Sequence, residues 1–332
     1  MIPSILRPYR SVGSGSIRVL RSRTLGTRNN SSGSKQPAVP EEVAAKNAEL
    51  RVLRARLELS DSFPLSLLST ALNTPTSRNE YMKNTDLQRA GRRLLDYRIS
   101  EYITCKYPRL PTEAVKSASL AFGGEDTLTN IGTIWGIEAE RSSGPIPYVE
   151  HGVENLGKLR YVPREIKVTR RVVKIQPDTS KGSSFKEAMS SAVEAVFGAV
   201  LMTEGPNYAI DLVDGHVLSR RVDFSALFQF SSPSRELHRL CVREGFVEPE
   251  YRLLAESGRH TVAPSFVVGA YSGPDKIGEG YGTSKQEARS RAAVNALKAW
   301  YLYSPKPVNY PSDGYKGEEY KGVYIDAGQI VV

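Results

Sequence analysis

Cysteine is nearly absent from this 332-residue chain, which carries only Cys105 and Cys241. Far apart and without a CxxC partner, they exclude a disulfide framework and read as free thiols of a reducing compartment. Histidine is almost as scarce: His151, His216, His238 and His260 fall into no metal-ligand spacing, which excludes a zinc knuckle. Long apolar runs are missing too. The longest, Ala192 to Met202, is eleven residues and contains Glu194, whereas a membrane helix needs ~20 apolar residues. Acid is absent from residues 1–40, where Arg7, Arg10, Arg18, Arg21, Arg23, Arg28 and Lys35 supply +7 of the net +9, leaving 9 minus 7, or +2, for the rest. Bulk charge therefore gives no case for a polyanionic partner, and basicity has to be sought in local patches.

The length suggests about two domains at ~100 to 200 residues each. Residues 1–34 are rich in Arg and Ser and offer an amphipathic stretch around Ile17, Val19, Leu20 and Leu25. That composition reads as a mitochondrial targeting leader, taken as 1–40, and the competing reading is a basic RNA-binding tail. Pro40 with Glu41 and Glu42 makes a helix start, and the following Ala, Leu and Arg residues predict one helix of ~18 residues to Leu59, within a helical segment 41–61.

From Leu87 to Ile103, bulky residues at three- and four-residue spacings predict a long amphipathic helix stopped by Pro108. A second helix is predicted from Phe185 to about Met202, with a small-residue face at Ala188, Ala192, Ala195 and Ala199. Strand signals are scarce between Phe63 and Arg160, so this region is mainly helical. Over residues 62–218 the text resembles the ribonuclease III endonuclease domain. Leu67 to Thr76 resembles its opening helix and turn. Asn84 to Tyr102 resembles its signature helix through Asn84, Leu87, Gly91, Leu95, Asp96, Ser100, Glu101 and Tyr102. Met189 to Met202 resembles its closing catalytic helix through Ala192, Glu194, Ala195, Gly198 and Ala199.

That resemblance implies magnesium-dependent hydrolysis of RNA by four carboxylates. Here the four positions fall on Gln88, Arg92, Ser191 and Glu194, and only Glu194 is an acid. An arginine where a divalent cation should sit implies a catalytically dead site with no metal and no cofactor. If the family's geometry is kept, Arg92 is expected within salt-bridge reach of Glu194, as a bidentate pair. Asp96 and Glu101 lie off the cluster and are expected to be solvated.

Within this domain, residues 158–186 hold nine cations, Lys158, Arg160, Arg164, Lys167, Arg170, Arg171, Lys174, Lys181 and Lys186, against Glu165 and Asp178. Ile166, Val168, Val172, Val173 and Ile175 interleave with Lys167, Arg170, Arg171 and Lys174, which suits a β-hairpin or extended arm contacting RNA phosphates. A solvated, charge-protected edge strand is the alternative.

Residues 219–232 read as a linker. Beyond them the pattern is helix, three strands, helix: Pro233 to Gly245, Tyr251 to Ala255, Phe266 to Tyr271, Lys276 to Gly282, and a last helix opened by a capping box of Ser284 and Glu287 and burying Ala288, Ala292, Ala296, Leu297 and Trp300. Residues 233–303 resemble the double-stranded RNA-binding domain, an α-β-β-β-α fold of the α+β class. By position, the resemblance implies that Arg235, Glu236 and His260 reach the minor groove and that Lys285, Gln286 and Arg289 face phosphates. Gln286 departs from the usual lysine and His260 sits one place early. The GEGYG run at 278–282 lacks the length and Lys of a phosphate loop.

Residues 304–332, with Pro305, Pro307, Pro311 and four tyrosines, read as an extended tail. Leader, disabled nuclease fold, basic insertion and RNA-binding module together resemble the mitochondrial large-subunit ribosomal protein forty-four family. The resemblance implies a structural, RNA-holding role in the mitochondrial matrix, on the mitochondrial ribosome, with ribosomal RNA and large-subunit proteins as partners. It also implies dimerisation with itself or with a second ribonuclease-III-like protein. An active mitochondrial RNA-processing endonuclease and a non-ribosomal double-stranded RNA-binding regulator are the alternatives.

Overall fold

A computed structural model of the chain describes residues 36–77, 79–141, 155–164, 182–258, 262–306, 308 and 310–312. Residues 1–35 of the leader, most of the basic insertion, the loop holding His260 and the end of the tail lie outside the described residues, whereas the leader's last residues, 36–40, are part of the fold, with Val39 buried in the core and the Pro37 carbonyl accepting the Met82 N–H.

The first helical stretch is broken. Helix α1 (Glu41–Ala44) ends before α2 (Ala48–Arg56), and Asn47 between them caps α2 by accepting the Leu50 N–H at 3.0 Å. An asparagine that satisfies an orphan amide favours a new helix start over continuation, which is why the expected single helix becomes two. Helix α3 (Leu65–Ala71) leads to α4 (Thr85–Lys106), then α5 (Thr112–Gly123) and α6 (Glu125–Ile134). Two three-residue strands, β1 (Ala139–Arg141) and β2 (Leu159–Tyr161), pair in parallel, and helices α7 (Phe185–Thr203) and α8 (Pro206–Val213) complete the unit.

Helix α7 is the axle of this unit. Its residues from Met189 to Val200 are buried apart from Ser190, so it lacks a polar face, as a helix enclosed by others should. It crosses α4 at very short range. A methyl group placed on Gly91 would stand 1.8 Å from the Glu194 carbonyl oxygen, and one on Gly198 would stand 1.9 Å from that of Leu87. The two glycines let backbone meet backbone, and this crossing brings the side chains of Gln88, Arg92 and Glu194 together.

The second module has helix α9 (Pro233–Glu244), strands β3 (Pro249–Ser257), β4 (Ser265–Ser272) and β5 (Asp275–Gly282), and helix α10 (Lys285–Tyr301). The antiparallel sheet runs in the order β3-β4-β5, with Tyr251 opposite Ala270 and Val268 opposite Gly280. The GEGYG run is a packing device: a methyl on Gly280 would lie 2.2 Å from the Ala292 amide nitrogen of α10. Helix α10 buries Ala288, Ala292, Ala293, Ala296, Leu297 and Tyr301, while Trp300 is only half-buried. Only half of the expected capping box forms. The Ser284 hydroxyl accepts the Glu287 N–H, but the Glu287 carboxylate turns to the amide and hydroxyl of Thr283.

Residues read as a linker hold a 3-10 turn (Phe224–Leu227) whose Asp223 side chain accepts the Ser225 N–H. Phe224 is buried in the first core against Tyr107 and Phe122, and Phe228 stacks on Tyr301 of α10 at 5.6 Å. From the nuclease-like unit, the Arg109 guanidinium lies over the rings of Trp300 at 3.8 Å and Tyr303 at 4.5 Å. Such cation–π contacts hold best where a ring also excludes water.

Candidate functional site

At the α4–α7 crossing, Arg92 Nη1 donates to Glu194 Oε1 at 3.0 Å, and Gln88 Nε2 donates to Oε2 at 2.9 Å. The expected bidentate pair is thus a shared one: one carboxylate oxygen goes to each α4 side chain, because Gln88 and Arg92 lie one turn apart on the same face. Glu194 is buried, with its side chain 3% exposed, whereas that of Arg92 is 59% exposed. Burial raises the Glu194 carboxyl above its ordinary value. The Gln88 hydrogen bond and the Arg92 charge pull it down, and the nearby Asp96 charge adds to the rise.

Ser191 has turned away from the cluster. Its hydroxyl donates to the Ala188 carbonyl at 2.9 Å, and Asn84 Nδ2, which also holds the Ala71 carbonyl, approaches it at 3.5 Å. Asp96 lies 3.8 Å from Arg92 Nε at the cleft's edge. Glu101, expected to be solvated, is buried. It takes Arg98 Nη1 at 2.5 Å and, from the tail, the Ser312 N–H at 2.6 Å and hydroxyl at 2.7 Å. Arg98 also grips Asp214 with Nε and Nη2 at 2.8 and 2.6 Å, and Tyr310 lies under its guanidinium. The tail is therefore anchored at residues 310–312, a contact that no local sequence pattern announces.

With one carboxylate, and that one occupied by an amide and a guanidinium, this cluster offers a hard cation no set of oxygen ligands. Among the described residues there is no group of three or more His, Cys, Asp or Glu that could hold a metal ion. No helix among them is long and apolar enough to cross a membrane.

The basic insertion divides in two. Lys167, Arg170, Arg171 and Lys174 lie outside the described residues. Its four described cations are engaged within the fold. Arg160 is buried and donates to the Ser69 carbonyl at 2.6 Å, Arg164 binds Glu187, Lys186 binds Asp126, and Lys158 lies between Glu49 and Glu138. Charge counting alone overstates the patch, since flanking strands and helices supply acids from distant sequence.

On the second module, Arg235, Lys285, Gln286 and Arg289 are exposed. Arg289 lies over the Tyr251 ring at 4.2 Å, and Lys285 lies over Phe266 at 5.6 Å and 3.7 Å from Glu256. The two rings thus lie beneath exposed cations at the start of α10. Glu236 accepts the Ser232 N–H at 3.3 Å at the start of its own helix. His260 lies outside the described residues.

The domain profile described as "MRPL44 dsRNA-binding domain" matches residues 228–319. A "Large ribosomal subunit protein mL44" from Neurospora crassa is 33% identical over 366 residues, covering 89% of this chain and 83% of its own length. The "Ribonuclease 3" of Enterococcus faecalis is 25% identical over 244 residues, covering 71% of this chain and 90% of its own. The nuclease domain of ribonuclease III from Campylobacter jejuni, a solved structure, is 18% identical and covers 50% of this chain and 97% of that one at a TM-score of 0.34. Similar to an mL44 protein from its helical unit through its RNA-binding module, and to bacterial ribonucleases only more distantly, the chain belongs to the mL44 family of mitochondrial large-subunit ribosomal proteins.

Proposed function

We propose that this chain is a structural component of the mitochondrial large ribosomal subunit, holding ribosomal RNA through its double-stranded RNA-binding module and a nuclease-like domain. It is not an enzyme. The similarity to an mL44 protein along 89% of the chain carries this reading. Glu194, paired with Arg92 and Gln88, supports it from the chemistry.

In this reading Lys285, Gln286 and Arg289 meet phosphates, Arg235 and Glu236 meet the minor groove beside His260, and Lys167, Arg170, Arg171 and Lys174 extend the contact along an RNA backbone. Residues 1–40 act as the import leader to the matrix. A second ribonuclease-III-like protein, or a second copy of this chain, packs on the nuclease-like domain. The domain boundaries proposed for this division of labour are 62–218 and 233–303, with 304–332 as an extended tail whose residues 310–312 are anchored on the first domain.

Sedimentation of mitochondrial extract tests the reading. The chain is expected to travel with the large subunit at low and moderate salt. A position at the top of the gradient under both conditions would contradict it.

A further inference from the structure

We propose that the groove beside Glu194 binds a phosphate of the RNA backbone through guanidinium groups, so that a cleft built around carboxylates now receives the anion directly. The proposal rests on the RNA-binding reading above and adds a site to it. The groove encloses about 330 Å³ and is lined by Thr85, Arg89, Arg92, Arg93, Asp96 and Glu194, with Gln88 at its base. Thr85, Arg89 and Arg93 are spaced four apart and form one stripe along α4.

The charge balance favours an anion. Three arginines face two carboxylates, and both oxygens of Glu194 are already taken by Gln88 and Arg92. Asp86, outside the groove, sits 3.7 Å from Arg89, a distance that leaves most of that guanidinium open, whereas Arg92 is held by Glu194 at 3.0 Å with Asp96 3.8 Å from its Nε. Arg89 keeps 73% of its side chain exposed, and Arg93 is exposed as well. Planar guanidinium forks match phosphate oxygens better than any other side chain.

A second observation points the same way. The 22-residue helix α4 begins at this groove with no side-chain cap: Asn84 Nδ2 donates to the Ala71 carbonyl, and its Oδ1, the atom that would cap, is buried and accepts no hydrogen bond. Its first-turn N–H groups and positive dipole end therefore stand beside the arginine stripe, an arrangement that suits phosphate. An acidic protein segment could use the same cations, but it would gain nothing from the RNA-binding module carried on the same chain.

The test is a titration of fluorescein-labelled duplex RNA with the full chain between 50 and 200 mM salt, comparing wild type, the pair Arg89→Ala with Arg93→Ala, and the pair Lys285→Ala with Arg289→Ala. Alanine is the best helix former, so α4 is retained, and a circular-dichroism melt checks this. The groove pair is expected to reduce the slope of log affinity against log salt by about 0.9 for each lost contact. The loss should add to that of the module pair. An unchanged slope in the groove pair, with the module pair still weakened, would overturn the groove site and leave RNA binding standing. Failure of the wild type to bind duplex RNA would overturn both. Unchanged RNA binding together with loss of co-sedimentation with the large subunit would replace the phosphate by an acidic protein contact.

Discussion

Arg92 and Glu194 are joined across the α4–α7 crossing by a 3.0 Å ion pair in which one partner is buried and the other half in water. The asymmetry decides how the pair behaves. Solvent screens the arginine, so its attraction is modest, whereas the carboxylate bears the full cost of burial.

The first prediction concerns pH. Burial raises the Glu194 carboxyl above its ordinary 4.5 more than Gln88 and Arg92 lower it. Between 4.5 and the raised folded value, the native state binds more protons than the unfolded one, so this group's contribution to stability falls as pH rises through that window. Glu194→Gln is therefore expected to match or exceed wild-type stability at pH 7, with the difference vanishing below about pH 4.5. Urea unfolding at a series of pH values measures it. A Glu194→Gln protein that is least stable relative to wild type at pH 7 would contradict the sign.

The helix crossing gives the second. In an exposed helix, glycine to alanine gains about 0.5 to 1 kcal/mol. At Gly91 the added methyl would fall 1.8 Å from the Glu194 carbonyl oxygen, backbone that has no room to yield. Gly91→Ala is expected to cost about 3 kcal/mol or more, at the upper end of overpacking penalties. Chemical denaturation checks it.

The tail anchor is the third. Arg98 and Glu101 each keep under a twentieth of their side chains exposed. Arg98→Ala leaves Glu101 buried without its cation and is expected to cost about 3 to 5 kcal/mol. Ser312→Ala removes a hydroxyl while its backbone N–H still reaches Glu101, and should cost only about 1 kcal/mol. A larger loss for Ser312→Ala than for Arg98→Ala would reverse this ranking of the contacts.

The cations at the start of α10 give the fourth. Lys285→Ala with Arg289→Ala should weaken duplex RNA binding irrespective of sequence, because phosphate contacts carry no base identity. Competition between unrelated duplexes measures this, and a loss confined to one sequence would contradict it.

Much of this site was legible because helices write themselves locally. The spacing of Leu87, Leu94, Leu95 and Ile103 fixes the buried side of α4, and the small residues of α7 announce a close neighbour. From those two helices and the resemblance, the meeting of Arg92 with Glu194 followed. What stayed hidden depends on distant partners. The break at Ala45 to Asn47 turns on one side-chain cap, the three-residue strands β1 and β2 are too short to show alternation, and Ser312 is anchored by Glu101 211 positions away. Arg160 looked like part of an RNA arm because nothing nearby reveals that Ser69 receives it. Phe224 and Phe228 likewise turned an apparent linker into packed structure.

With Arg92 paired to Glu194, the α4–α7 cleft is expected to hold no magnesium and to cleave no RNA. Incubating the purified full chain with long duplex RNA and magnesium is the decisive assay. Intact RNA is expected at every magnesium concentration, for the wild type and for Arg92→Ala alike, since one remaining carboxylate supplies too few oxygen ligands. Magnesium-dependent cleavage by the wild type that disappears in Glu194→Ala would contradict it.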